Sequence, residues 1–135
     1  ITHCHRTMFN LTPTELDRYR RQILLPDFGV EAQQRLKAAT VLVTGVGGLG
    51  GTAALYLAVA GIGRLILLRG GNLRRDDMNR QILMTEDWVD QPRVFKAKET
   101  LEQINPDVQV EAICEYVTPD NVDALVQRSD VTLDC

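Results

Sequence analysis

Val41-Leu42-Val43-Thr44-Gly45-Val46-Gly47-Gly48-Leu49-Gly50-Gly51 passes from an apolar run into glycines, and Thr52 to Ala60 continues apolar and Ala-rich. A buried strand, a tight turn and a packed helix have this appearance. Gly45, Gly47 and Gly50 carry the G-x-G-x-x-G spacing. The first glycine permits the turn, the second lets backbone approach a phosphate, and the third lets helix and strand pack closely. The helix that follows offers unpaired N–H groups and the positive end of its dipole to an anion. This context points to a nucleotide site; the plain alternative is a glycine-rich turn that binds nothing.

Downstream, Gly61 and Gly63 close the helix, and Leu65–Leu68 form a second strand, giving a βαβ unit. The helix over 51–60 is apolar or small on nearly every face, so burial against a parallel sheet is expected. Residues 69–81 form a polar loop at the carboxyl end of the second strand, the edge where open α/β sheets bind ligands. Pro92 starts a helix over Arg93–Ile104 with Val94, Ala97, Leu101 and Ile104 at helical spacing. Asn105-Pro106 stops it, and Val108–Ile113 alternates as a third strand. Thr118-Pro119 opens a last helix with Val122, Leu125 and Val126 inward, before a strand over 131–134. Upstream, Thr12-Pro13-Thr14-Glu15 is a capping box that starts a helix running to about Gln22. Arg18-Tyr19-Arg20-Arg21-Gln22 places three arginines close together, usually a solvated face. Val30–Ala39 reads as a second short helix.

The expectation is therefore an α/β chain: a Rossmann-like, doubly wound, mainly parallel sheet with helices on both faces. An N-terminal helical segment spans 12–39, and an incomplete nucleotide-binding domain spans 40–135. Residues 1–11 are read as disordered or upstream sequence, since Met8 is a more natural start than Ile1. The end on Val131-Thr132-Leu133-Asp134-Cys135 reads as a strand still arriving at its functional end, hence a fragment.

At 135 residues there is length for one domain or part of one. A net charge of −3 gives no attraction to nucleic acid or membrane surfaces. No apolar run reaches spanning length. With no secretory signal, a cytoplasmic protein is expected. Cys4, Cys114 and Cys135 make no C-x-x-C pair and no zinc spacing, so no metal ligand is assigned and the thiols read as inert.

Dinucleotide folds place Asp or Glu at the end of the second strand to hold the ribose hydroxyls. That position is Arg69. Arginine there suggests a 2′-phosphate, hence NADP and an oxidoreductase; a solvated strand-end arginine is the alternative. Gly45-x-x-x-x-Gly50-Gly51-Thr52 has Gly51 where a P-loop needs lysine, which rules out a Walker A site. H-E-x-x-H and G-x-S-x-G are absent.

Five motifs fall in order: Arg18-Tyr19-x-Arg21-Gln22, the glycine loop, Asn79-Arg80-Gln81, Gln91-Pro92-Arg93-Val94, and Asn105-Pro106 with Leu133-Asp134-Cys135. Over roughly residues 12–135 the chain resembles the ThiF/MoeB/HesA family, prokaryotic relatives of ubiquitin-activating enzymes. The resemblance implies binding of ATP with Mg2+. It also implies adenylation of the C-terminal glycine of a small ubiquitin-like sulfur-carrier protein, with release of pyrophosphate. A sulfur donor then attacks the acyl-adenylate, in molybdopterin or thiamine synthesis.

Carried onto this chain, Gly45, Gly47, Gly48 and Gly50 approach the nucleotide, and Asp76, Asp77, Met78, Asn79 and Arg80 form the loop that wraps it. Arg80 lies over the phosphates, and Arg21 reaches them from the partner protomer, which implies a homodimer. Arg21, Arg80 and Arg93 are the implied catalytic cations, suited to the charge that builds on leaving pyrophosphate.

Three departures stand out. The family's ribose-binding aspartate is Arg69 here, with Gly71 in place of a second acid. The lysine of Q-P-K is Arg93, with Lys96 one turn further along as a substitute. Asp77 replaces the usual asparagine. The resemblance places the Mg2+ ligand beyond Cys135, along with any zinc-binding C-x-x-C pairs, so the fragment alone is expected to be inactive. Gly70-Gly71-Asn72 is similar to the HesA branch, associated with nitrogen-fixing bacteria. The alternatives left open are a catalytically silent binding or scaffold member of the family and the NADP-dependent oxidoreductase.

Overall fold

The computed structural model describes residues 9–135; the upstream stretch and Cys4 lie outside them. Helix α1, Pro13–Arg18, opens on a reciprocal capping box. Thr12 Oγ1 accepts from the Glu15 N–H (3.2 Å) and Glu15 accepts from the Thr12 N–H (2.7 Å). The expected continuous helix breaks at Tyr19, outside the helical region at ψ 8, and resumes as α2, Arg20–Ile23. There Tyr19 turns inward, 4% exposed, and its hydroxyl accepts from Asn105 Nδ2 at 2.8 Å. A buried anchor overrides the local helix preference.

Helix α3, Gly29–Ala38, leads into β1, Thr40–Val43. Then come α4, Gly48–Ala60; β2, Arg64–Leu68; α5, Arg93–Ile104; β3, Gln109–Ile113; α6, Val122–Gln127; and β4, Val131–Leu133. The sheet order is β3-β2-β1-β4 with every pair parallel. Alternation along the strands assigns the two faces. Val41, Val43, Leu65 and Leu67 join Ala54 and Ala58 of α4 and Val94, Ala97 and Leu101 of α5. Leu42, Ile66 and Leu68 pack with Leu125 of α6 on the other side. A Rossmann-like sheet with helices on both faces is thus what the chain forms.

The N-terminal helices dock on the far end of α4. Gln22 and Gln33 both donate from Nε2 to the Ala60 carbonyl (2.8 and 2.9 Å), satisfying an acceptor the helix end leaves open.

Four expectations are corrected. Helix α4 begins at Gly48, because Gly50 must already be in the first turn to lie against β1's end. That helix is also not buried all round: Leu49, Tyr56 and Val59 are 72%, 69% and 44% exposed, since only the Ala54/Ala58 side reaches the core. Val126 is exposed rather than inward, Ile104 at the end of α5 is 38% exposed, and α6 starts three residues after Pro119, at Val122. Residues 118–121 instead close a turn in which the Thr118 N–H donates to Asn121 Oδ1. Among the described residues no helix is long and apolar enough to cross a membrane.

Candidate functional site

Strand order reverses between β1 and β4: the chain adds β2 and β3 on one side of β1, then crosses back. In open α/β sheets the crevice outside the carboxyl ends at such a point takes the ligand. Here it is stitched by Thr44, whose Oγ1 donates to Asp134 Oδ1 (2.8 Å) and accepts from the Cys135 N–H (3.1 Å). Thr44 and Asp134 were not among the expected site residues, and β pairing over ninety positions leaves no local signal. Burial, then the Asp134 charge, push the Cys135 thiol up, so it stays protonated.

The glycine loop has the geometry its spacing demands. A Cβ on Gly50 would lie 1.8 Å from the Gly45 carbonyl oxygen, so helix and strand approach to backbone contact. At Gly47, the N-cap of α4, the same test meets nothing within 4 Å. No side chain caps α4 there. Open space thus faces a helix start whose N–H groups are unclaimed by any capping side chain, a ready anion seat. A Cβ on Gly48 would sit 3.4 Å from Arg80 Cγ.

Arg80 is fixed beside that seat. Its Nη1 donates to the Asp76 carbonyl (2.8 Å) and to Asn79 Oδ1 (3.0 Å), and its Nη2 to Asp77 Oδ1 (2.9 Å). The other Asp77 oxygen pairs with Arg93 Nη1 at 3.1 Å and accepts from the Arg74 N–H. Burial pushes the Asp77 carboxyl up. The Arg74 N–H bond and the charges of Arg93, Arg80 and Arg74 outweigh it and hold the group below the usual carboxylate range. The negative charge that replaces asparagine is therefore balanced inside the protein, leaving the Arg80–Asp77–Arg93 cluster net positive.

The remaining expected residues divide. Arg93 is buried beneath the loop, with Asp77, Gln81 and the Asn72 carbonyl around its guanidinium. Lys96 turns elsewhere, pairing with Glu99 (3.0 Å) and lying 5.5 Å from the Trp88 ring. Met78 packs on the core, Asp76 pairs with Arg74, and Asn79 is exposed. Arg69 lies at the end of β2 with its guanidinium 5.7 Å from the Tyr116 ring centre.

Arg21 stands apart. It is exposed on α2, lining a concavity with Arg20 and Leu24. Its neighbour Gln22 binds Ala60, at the opposite end of α4 from the phosphate seat. Twelve helical rises separate Gly48 from Ala60, ~18 Å, beyond any arginine's reach.

Fold and crevice together define a doubly wound α/β domain of the Rossmann-like class, with an open, uncapped helix start at its switch point. Residues 19–135 match the ThiF family, and the chain belongs to that family. It is 79% identical over 128 residues to Protein HesA, vegetative, of Trichormus variabilis, covering 95% of this chain and 48% of that protein. It is 43% identical to the sulfur carrier protein ThiS adenylyltransferase of Escherichia coli, covering 87% of this chain and 47% of that protein. Among solved structures, the E. coli tRNA N6-threonylcarbamoyladenosine dehydratase TcdA in complex with ATP superposes with a TM-score of 0.87. That match is at 30% identity, over 94% of this chain and 52% of that one. The chain spans about half the length of the curated relatives it matches.

Proposed function

We propose that this protein is an ATP-dependent adenylyltransferase that activates the C-terminal glycine of a small ubiquitin-like sulfur carrier. The observation that carries the reading is Arg80, pinned by Asp77 against Gly48 at the uncapped start of α4. Adenylation joins a carboxylate oxygen to the α-phosphorus and breaks the bond to the β-phosphate oxygen, so the electron pair leaves with pyrophosphate. Fixed donors and cations at that leaving group lower the barrier because they need no reorganisation. In this reading the α4 N–H groups and Arg80 serve the leaving group, supported by their position at the uncapped helix start, and Arg93 holds Arg80's anchor, Asp77. Kinship with a ThiS adenylyltransferase and with an ATP-bound structure supports the substrate assignment. Among the described residues no cluster of three or more His, Cys, Asp or Glu side chains can hold a metal, so no step is assigned to Mg2+ or zinc. The Mg2+ ligand is expected beyond Cys135.

The second copy belongs to the same reading: a homodimer delivers Arg21 across the interface to the partner's phosphates. A silent scaffold role is the competing reading, favoured by Arg69 where the family has its ribose-binding aspartate. Carrier-dependent pyrophosphate–ATP exchange by the full-length protein separates them. Arg80→Ala is expected to lower exchange by about a hundredfold, typical of losing one preorganised donor, with an unchanged circular dichroism spectrum. Carrier binding without exchange in the wild type supports the scaffold.

A further inference from the structure

Arg20, Arg21 and Arg69 are the cations that enter no ion pair among the described residues; Arg18 and every Lys or Arg from 35 onward apart from Arg69 have a carboxylate. Arg20 and Arg21 are exposed on α2, but Arg69 is partly buried at the carboxyl end of β2. Its Nε is out of solvent and has no hydrogen-bond partner.

The seat around it is built. A Cβ on Gly70 would lie 2.5 Å from the Tyr116 ring, and one on Gly71, at φ +81, 2.6 Å from the Tyr116 hydroxyl. The glycine pair lets the Tyr116 ring lie directly against the backbone. The ring's own backbone is fixed, because the Tyr116 carbonyl accepts from Asn121 Nδ2 at 3.0 Å. Tyr116 in turn offers its ring to the Arg69 guanidinium. At that distance the ring is a cation–π neighbour, and the N–H donors in the guanidinium plane match phosphate oxygens.

An arginine has no acceptor, so it cannot receive hydrogen bonds from ribose hydroxyls as a carboxylate does. At this position of a dinucleotide fold a cation suits a phosphate on the ribose. Resting on the reading that an adenine nucleotide occupies the crevice, we propose that Arg69, seated on Tyr116 over Gly70-Gly71, forms a subsite for a phosphomonoester on the ribose 2′ or 3′ oxygen.

The test is calorimetric binding of three probes to the full-length protein: 5′-AMP, adenosine 2′,5′-bisphosphate and adenosine 3′,5′-bisphosphate. One bisphosphate is expected to bind about tenfold tighter than AMP, the worth of one charge-assisted contact; whichever does identifies the oxygen. In Arg69→Ala the advantage should vanish while AMP affinity stays within about threefold, and Arg69→Lys should keep part of it. Equal binding of the three probes by the wild type overturns the subsite, as does an advantage that survives Arg69→Ala. The wild-type series needs no variant to fold. Carrier-dependent pyrophosphate–ATP exchange, run beside it, separates the two readings. Exchange without a bisphosphate preference ends the subsite and spares adenylation. A preference without exchange does the reverse.

Discussion

Asp77 joins two cations that differ in setting: Arg80 is half exposed and faces the crevice, while Arg93 is buried. A buried charge that loses its counter-ion costs several kcal/mol. Asp77→Asn keeps the shape and removes the charge, so it should destabilise the protein by about 3 kcal/mol and loosen Arg80 as well. Urea unfolding of both proteins across pH measures this. The sign follows from the depressed carboxyl of Asp77. Its folded-state value lies below the unfolded one, so its contribution is complete above the ordinary carboxylate range. It is lost as pH falls through the folded value. The gap between wild type and variant should therefore be widest near neutrality and close in acid; a gap independent of pH would show that Asp77 acts through shape alone.

At the scale of elements, the two ends of the glycine loop make opposite predictions. Gly50→Ala drives a methyl into the Gly45 carbonyl oxygen at 1.8 Å. Backbone cannot move away cheaply, so a loss of about 3 kcal/mol or more is expected, seen as a drop in melting temperature. Gly47→Ala meets no atom within 4 Å and should leave the melting temperature nearly unchanged while weakening ATP binding, because the methyl enters the space left for phosphate. The contrast tests whether the third glycine serves packing and the second serves the ligand. The packing role of Gly50 was legible in sequence, since the spacing encodes it, and the same spacing makes the ligand role of Gly47 an expectation for the binding measurement. Also legible was α5, whose bounds match the expected Arg93–Ile104 because Val94, Ala97 and Leu101 mark one face. The exposed side of α4 was not legible, since a helix apolar all round has no pattern to say which side meets the core. The Tyr19 break, the Asp77 pairing and the Tyr116 seat were equally hidden, each resting on a contact the local sequence does not encode.

For the whole molecule, the distance between Arg21 and the phosphate seat is the deciding quantity. An arginine at one end of α4 cannot serve a site at the other end, ~18 Å away, so a role in catalysis requires a second copy. The apolar side chains left outside on α4, Leu49, Tyr56 and Val59, supply a surface of the kind that association covers. The proposed twofold dimer would contain two composite sites, each taking Arg80 from one protomer and Arg21 from its partner. Separately, Arg21→Ala and Arg80→Ala homodimers should each lack exchange activity. Mixed and allowed to exchange subunits, half of the dimers become heterodimers. In each of these one site carries both substitutions and the other carries neither. Activity should therefore return to about a quarter of the wild-type level, and dilution that dissociates the dimer should abolish it. Recovery depends on the two residues coming from different chains. If mixing restores nothing although subunit exchange is verified by a mass tag, Arg21 acts within its own protomer or not at all, and the composite site is wrong.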